Sequence, residues 1–210
     1  MANFLELLKK GFADNHLAAS DKHLQQLQAY LELMLVWNRA FNLTAITEPK
    51  DMVYLHILDS LAIAPFLRGT RLLDVGSGAG LPGIPLAILY PEQHWVLLDK
   101  NSKKTRFLTQ VISELGLDNI EVVHSRSEDF QPSKCFDSIV ARALSTLESF
   151  INTTQHLICP QGVFIAMKGK YPEMELNAMP RHYKVLNATR LEVNGLTAER
   201  HVIVIGKKLI

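Results

Sequence analysis

Cysteine is nearly absent from this 210-residue chain: there are two, Cys135 and Cys159, with no Cys-x-x-Cys pair and no Cys/His cluster. That excludes a zinc site of ordinary ligand spacing and a disulfide framework, so no metal and two buried free thiols are expected. Long apolar runs are missing as well. The longest are short and interrupted by charge, so no segment reads as a bilayer span, and the N-terminus lacks the basic, apolar, small-residue order of a secretory signal. A cytoplasmic protein without membrane contact is expected. Net charge is also lacking: 22 Lys and Arg against 21 Asp and Glu leave +1, which gives no global signal for a polyanionic partner. Basic residues gather only locally, at Lys100, Lys103, Lys104 and Arg106 and again toward the C-terminus, as solvated faces or as RNA contacts. With 48% hydrophobic residues the chain can bury the core of one domain with an extension.

What is present is organised around Arg71-Leu72-Leu73-Asp74-Val75-Gly76-Ser77-Gly78-Ala79-Gly80-Leu81-Pro82-Gly83-Ile84-Pro85. An apolar run ends in an acid and breaks into alternating glycines, the pattern of strand, tight turn and helix. Glycine allows a close backbone approach to a ligand and the positive φ of a sharp turn. Gly78 to Gly83 satisfies GxGxxG literally, but the dinucleotide fingerprint begins at the strand end, and counting from Gly76 puts Leu81 where its third glycine belongs. Pro82 and Pro85 delete N–H groups that a pyrophosphate would use, and Asp74 sets a carboxylate nearby. S-adenosylmethionine has no phosphate and carries a cationic sulfonium and ammonium, so it fits this charge pattern where nucleotides do not. The plainer alternative is a bare strand-to-helix turn with Asp74 bonding local backbone. A second apolar run, His94 to Leu98, ends in Asp99, whose carboxylate suits ribose hydroxyls; Asp99 or Asn101 also suits the N-cap of the next helix.

Before the glycine stretch the pattern is helical. Phe4, Leu5, Leu7, Leu8 and Phe12 form a short stripe, Ser20-Asp21 caps a long helix ending near Trp37, and Leu24, Leu27, Leu31, Met34 and Leu35 recur along it at helical spacing. Trp37 to Thr47 reads as a loop dense in amides and hydroxyls. Glu48-Pro49 opens another helix, on which His56 and Asp59 lie three apart and share a face; they form a base with its orienter or a satisfied buried pair. From Thr70 strand and helix alternate, with strands expected at 71–75, 94–98, 120–124, 136–141 and 162–167. This implies a parallel sheet with right-handed crossovers and ligands at the strands' carboxyl ends. Two closing strands, 183–193 and 201–205, are expected as an antiparallel hairpin through Asn194-Gly195. The organisation expected is a helical extension over 1–68 packed on a ligand-binding domain over 69–210, acting as a monomer.

Three residues fall at strand carboxyl ends. Glu128, after Ser125-Arg126-Ser127, presents an acid and backbone N–H groups to an adenine edge or opens a helical turn. Arg142 is a planar donor near a reaction centre, a partner for Asp74 or Asp137, or both. Lys168-Gly169-Lys170 is a basic strand exit.

With these residues assembled, the sequence resembles the RsmG (GidB) family of bacterial small-subunit ribosomal RNA guanine-N7 methyltransferases. The resemblance runs through Trp37-Asn38, Asn42-Leu43-Thr44, His56-Ile57-Leu58-Asp59-Ser60, Asp74 to Pro85, Leu98-Asp99, Lys103 to Leu108, Ser125 to Glu128, Arg142-Ala143, Lys168-Gly169 and Glu199-Arg200-His201. It implies a Rossmann-like, class I S-adenosylmethionine-dependent methyltransferase with a mostly parallel seven-stranded sheet. By motif, cofactor contacts fall on Gly76, Leu81, Ser127, Glu128 and Arg142; Asp74, Gly78 and Asp99 join them on the physical argument above. The implied acceptor is a guanine of 16S rRNA, conventionally position 527, in the small ribosomal subunit or an assembly intermediate. Asn42, Thr44, His56, Lys168 and Arg200 are the expected RNA contacts, and Arg142 the orienting residue. Leu55 departs from the family, in which a basic residue often precedes the histidine. A methyltransferase for small molecules or proteins, or a non-catalytic RNA- or nucleotide-binding module, would share parts of this pattern.

Overall fold

The structure, a computed structural model, describes residues 3–142 and 146–208. Helices α1 (Phe4–Asp14) and α2 (Asp21–Phe41) come first, each started by a side chain that accepts a first-turn N–H, from Asn3 and Ser20. Next, α3 (Pro49–Met52) passes into a π-turn (Val53–Leu58) and then α4 (Asp59–Leu61). The alternating part runs β1 (Arg71–Val75), α5 (Gly83–Leu89), β2 (His94–Asp99), α6 (Ser102–Leu115), β3 (Ile120–His124), β4 (Phe136–Arg142), α7 (Leu147–Thr154) and β5 (Ile158–Lys168). Helix α8 (Glu173–Asn177) and strands β6 (Tyr183–Arg190) and β7 (His201–Lys207) follow.

The sheet order is β3-β2-β1-β4-β5-β7-β6. β1 to β5 pair in parallel, and β7 lies antiparallel to both β5 and β6. Strand order reverses between β1 and β4, and that switch point opens a crevice at the carboxyl ends. Alternation along each strand feeds two cores. Leu72, Trp95 and Leu97 join the side covered by α1, α2, α5 and α6, while Leu73, Val75, Val96 and Leu98 join the side covered by α7. The N-terminal helices thus share one core with a face of the sheet. Among the described residues no helix is long and apolar enough to cross a membrane.

Four expectations are corrected. The two cysteines are not free buried thiols: Cys135 and Cys159 form a disulfide with Cα atoms 5.0 Å apart. Phe136 pairs with Ile158 at the start of neighbouring strands, a proximity that a sequence separation of 24 does not reveal. The run from Trp37 to Phe41 is helix rather than loop; Trp37 stacks on Phe41 and Phe107, and Asn42 ends α2 in the left-handed region at φ 50°. β5 begins four residues before the expected Gly162, with a register shift between Phe136 and Ser138 on its partner. Finally, β6 and β7 do form the expected antiparallel hairpin, but β6 stops at Arg190 rather than at Val193, so Asn194-Gly195 turns inside a longer connection and is not a tight two-residue link. Asn194 is fastened to the end of α1, its N–H donating to Asn15 Oδ1 at 2.7 Å and its amide to the Asp14 carbonyl.

Candidate active site

Two clefts flank the switch point. The first, about 350 Å³, lies over the ends of β1, β2 and β3 and is lined by Gly76, Asp99, Ser125, Ser127 and Glu128, with Lys100, Lys104 and Arg126 at its edge and Ser149 and Thr153 of α7 opposite. Gly76 and Gly78 hold φ of 69° and 61°, which an L side chain rarely adopts. The Gly76 and Ser77 N–H groups donate to the Leu98 carbonyl, tying the turn to β2. Asp99 is buried and accepts from the Gly78 N–H at 2.9 Å and the Asn101 N–H at 2.8 Å. Asn101 in turn caps α6. Ser127 donates to Glu128, whose carboxyl is held below its usual range by its own backbone N–H and that hydroxyl.

Asp74 lies beneath the turn and lines neither cleft. It is fully buried, Oδ2 accepts from the Gly83 N–H at 3.0 Å, Oδ1 has no partner among the described residues, and burial pushes its carboxyl up to about 7. Leu81 is also buried, in the core. The start of α5 offers nothing to a phosphate. Pro82 and Pro85 carry no N–H, Gly83 donates to Asp74, and Ile84 donates to the Gly80 carbonyl at 2.7 Å. From the other side, Tyr30 of α2 donates to the Ala79 carbonyl at 2.6 Å. The first cleft therefore sets two carboxylates beside glycine backbone, with its three basic side chains at the edge and no anion cradle at the start of α5, which suits a cationic adenosine derivative.

The second cleft, about 300 Å³, lies past the ends of β4 and β5 and is lined by His56, Asp59, Arg142, Lys168 and Arg200 with Ile46, Leu55, Met167 and Gly169. In the π-turn the Asp59 N–H reaches back five residues to Tyr54, passing over the Leu55 carbonyl that an α-helix would use. Arg142 Nη1 donates to the Leu55 carbonyl at 3.0 Å and Ser60 donates to that of His56. Asp59 Oδ2 lies 3.5 Å from Arg142 Nη1, and Asp59 Oδ1 accepts from Arg200 Nε at 2.9 Å. Burial raises the Asp59 carboxyl against the pull of both arginines.

His56 does not pair with Asp59. Its Nε2 lies 3.0 Å from Thr44 Oγ1, Nδ1 is buried without a partner among the described residues, and burial with the Arg142 charge lowers its pKa to about 4. Thr44 is held by a reciprocal pair with the Asn38 amide. Asn42 is exposed at the helix end and lines neither cleft. Lys168 is bonded to both carboxylate oxygens of Glu175 at 3.0 and 2.8 Å, and Glu175 also accepts the first N–H of α7.

The match that decides the family covers residues 23–203, with the model for GidB, rRNA small subunit methyltransferase G. The chain belongs to the GidB family. A relative from Pseudomonas syringae pv. tomato, named ribosomal RNA small subunit methyltransferase G, is 48% identical over 200 residues, spanning 95% of each chain. Among solved structures, TrmN from Thermus thermophilus aligns with a TM-score of 0.54 at 21% identity, over 71% of this chain and 47% of that one. A SAM-dependent methyltransferase from Thiobacillus denitrificans, in complex with S-adenosyl-L-homocysteine, gives 0.53 at 12%, over 72% and 90%. Both likenesses are of fold.

Within this GidB chain the structure brings Gly76, Asp99, Ser127 and Glu128 together in the first cleft and His56, Arg142, Lys168 and Arg200 in the second. Arg142 pairs with Asp59 rather than with Asp74 or Asp137; Asp137 instead accepts from the Thr70 and Arg71 N–H groups. Ala143, the second residue of its motif, lies outside the described residues. Sequence reasoning missed Tyr30, Glu175 and the joining of Asp59 to Arg200. The last pair is separated by 141 residues, and no local pattern signals it.

Proposed function

We propose that this GidB-family enzyme transfers a methyl group from S-adenosyl-L-methionine to N7 of a guanine in 16S rRNA, in the small subunit or an assembly intermediate, acting as a cytoplasmic monomer. The observation that carries the acceptor half is the second cleft itself, where Arg142, Lys168 and Arg200 present guanidinium and ammonium donors at the strand ends. The cofactor half rests on Gly76, Asp99, Ser127 and Glu128, with Gly78 behind them.

Bound in the first cleft, S-adenosylmethionine supplies an electrophilic methyl group on a sulfonium. Guanine N7 carries an in-plane lone pair and no proton, so the chain need supply no general base. His56, held neutral, accordingly serves to fix Thr44 rather than to move a proton. Rate then depends on in-line placement and electrostatics. Arg142, anchored by Leu55 and Asp59, is placed to donate to O6, the acceptor beside N7 that arginine commonly reads. Adenine would set a donor amino group against the same edge. N7 lies on the major-groove edge, which is deep and narrow in paired RNA, so the target base must be unpaired or splayed. Asn42 and the exposed end of α2 would meet neighbouring nucleotides, and Lys168 would need to exchange Glu175 for RNA.

The test is transfer of labelled methyl to small subunits lacking their native methyl groups, beside naked 16S rRNA and a panel of small acceptors. N7-methylguanine should form in wild type and fall by roughly a hundredfold in Arg142→Ala, the size expected when a reactant loses its alignment. Label confined to small acceptors would overturn the RNA reading. Near-normal turnover in the variant would remove Arg142 from the site.

A further inference from the structure

Asp59 holds two like-charged side chains at once. Arg142 arrives from the end of β4, Arg200 from the residue before β7, and a single carboxylate on the helical segment after the π-turn receives both. Two guanidiniums in one cleft repel each other, and each sits on a long side chain with many rotamers. The bonds already made use Nη1 of Arg142, and Nε and Nη1 of Arg200, the latter on the Glu199 carbonyl. Both side chains remain 23% exposed while Asp59 is only 5% exposed. The inner edges of the two forks are therefore fixed to protein, and partly exposed guanidinium surface remains on the cleft. The π-turn adds the second anchor, because it releases the Leu55 carbonyl that Arg142 takes.

We infer that Asp59 is a positioning residue for the acceptor base: held after the π-turn, it orients Arg142 and Arg200 together so that their remaining donors converge on one purine. This rests on the acceptor reading given above. Asp59 touches neither substrate nor cofactor and acts through the arginines. Asparagine at this position keeps the shape and one acceptor oxygen but removes the charge, so the forks lose their shared anchor while the core stays filled.

The experiment measures single-turnover methyl transfer to undermethylated small subunits, S-adenosylmethionine affinity by calorimetry, and the thermal midpoint, for wild type and Asp59→Asn. Transfer should fall by about tenfold to a hundredfold, as for misplacement of a reactant by an ångström, with cofactor affinity within about twofold. A second measurement separates positioning from folding. On an Arg142→Lys, Arg200→Lys background, where the forks are already gone, adding Asp59→Asn should cost almost nothing further, because residues acting as one unit are non-additive. Transfer by Asp59→Asn equal to wild type, or a full multiplicative loss on the double-lysine background, overturns the inference. So does a parallel fall of cofactor affinity and thermal midpoint, which marks a purely structural role. Should wild type methylate something other than guanine N7, the same ratio on that acceptor decides the role of Asp59 separately from the guanine reading.

Discussion

Two buried groups near the clefts titrate in opposite senses, and their signs make a prediction. His56 falls from 6.5 to about 4 because burial and the Arg142 charge disfavour its cation. The folded state therefore binds fewer protons than the unfolded one between those values, and the His56 contribution to stability is present at neutral pH and lost as pH falls from 6.5 toward 4. Its full size is on the order of 3 kcal/mol, from about 1.4 kcal/mol per unit. Asp74 goes the other way: raised from 3.8 to about 7 mainly by burial, it contributes at acid pH and loses that contribution as pH rises through 7. Between about pH 4 and 6.5 the two slopes oppose, so the wild-type profile is flatter than either group alone would make it. Urea unfolding of wild type and His56→Gln should show the difference between them shrinking by a few kcal/mol on acidification from neutral pH to about 4. A difference independent of pH would mean that His56 is not held neutral in the fold.

At the scale of elements, the glycine turn is gripped from both sides. Asp74 holds it from below through Gly83, and Tyr30 reaches it from α2 through the Ala79 carbonyl. Gly80 shows how little room is left: a Cβ there would sit 2.5 Å from Ile84 and 2.9 Å from Leu108. Tyr30→Phe keeps the ring that packs near Phe107 and removes only the hydroxyl, leaving a buried carbonyl unbonded at about 1–3 kcal/mol. The expected outcome is a lower thermal midpoint together with weaker S-adenosylmethionine binding by calorimetry. Unchanged binding would show that the turn keeps its shape without α2. Periodicity and glycine spacing made the alternating half of the fold legible, because the inner strands β1, β2, β4 and β5 are buried along most of their length, while the edge strand β3 is only partly buried. The elements that sequence misplaced are those set by distant partners. Asn194 reads as the tight turn of a hairpin, and it does turn within the β6–β7 connection, but that connection is longer because Asn194 also binds the end of α1 about 180 residues away. His56 and Asp59 share the helical spacing of a pair, but the π-turn and Arg200 give each a different partner.

The whole molecule separates stability from chemistry along the strand direction. Both clefts open at the carboxyl ends of β1 to β5, while the disulfide ties the opposite ends of β4 and β5. The seven residues of β4 separate Cys135 from the strand's carboxyl end at Arg142, roughly 20 Å of extended chain at about 3.3 Å per residue. Closing a 24-residue separation restricts the unfolded chain and is worth roughly 3 kcal/mol on the loop-entropy account. The cytoplasmic setting proposed above would keep most thiols reduced, and Cys135 is exposed, so both states matter to the fold. Reduction, or Cys135→Ser with Cys159→Ser, should lower the unfolding free energy by roughly that 3 kcal/mol. Methyl transfer measured well below the melting transition should stay within about twofold of the oxidised protein, because additivity holds for sites so far apart. The comparison takes one preparation, split between oxidant and reductant, with thiol titration to count each state. A large loss of transfer in a fully folded reduced sample would mean that the register of β4 and β5 is transmitted along the strands to Arg142 and Lys168, joining the two ends that the fold otherwise keeps apart.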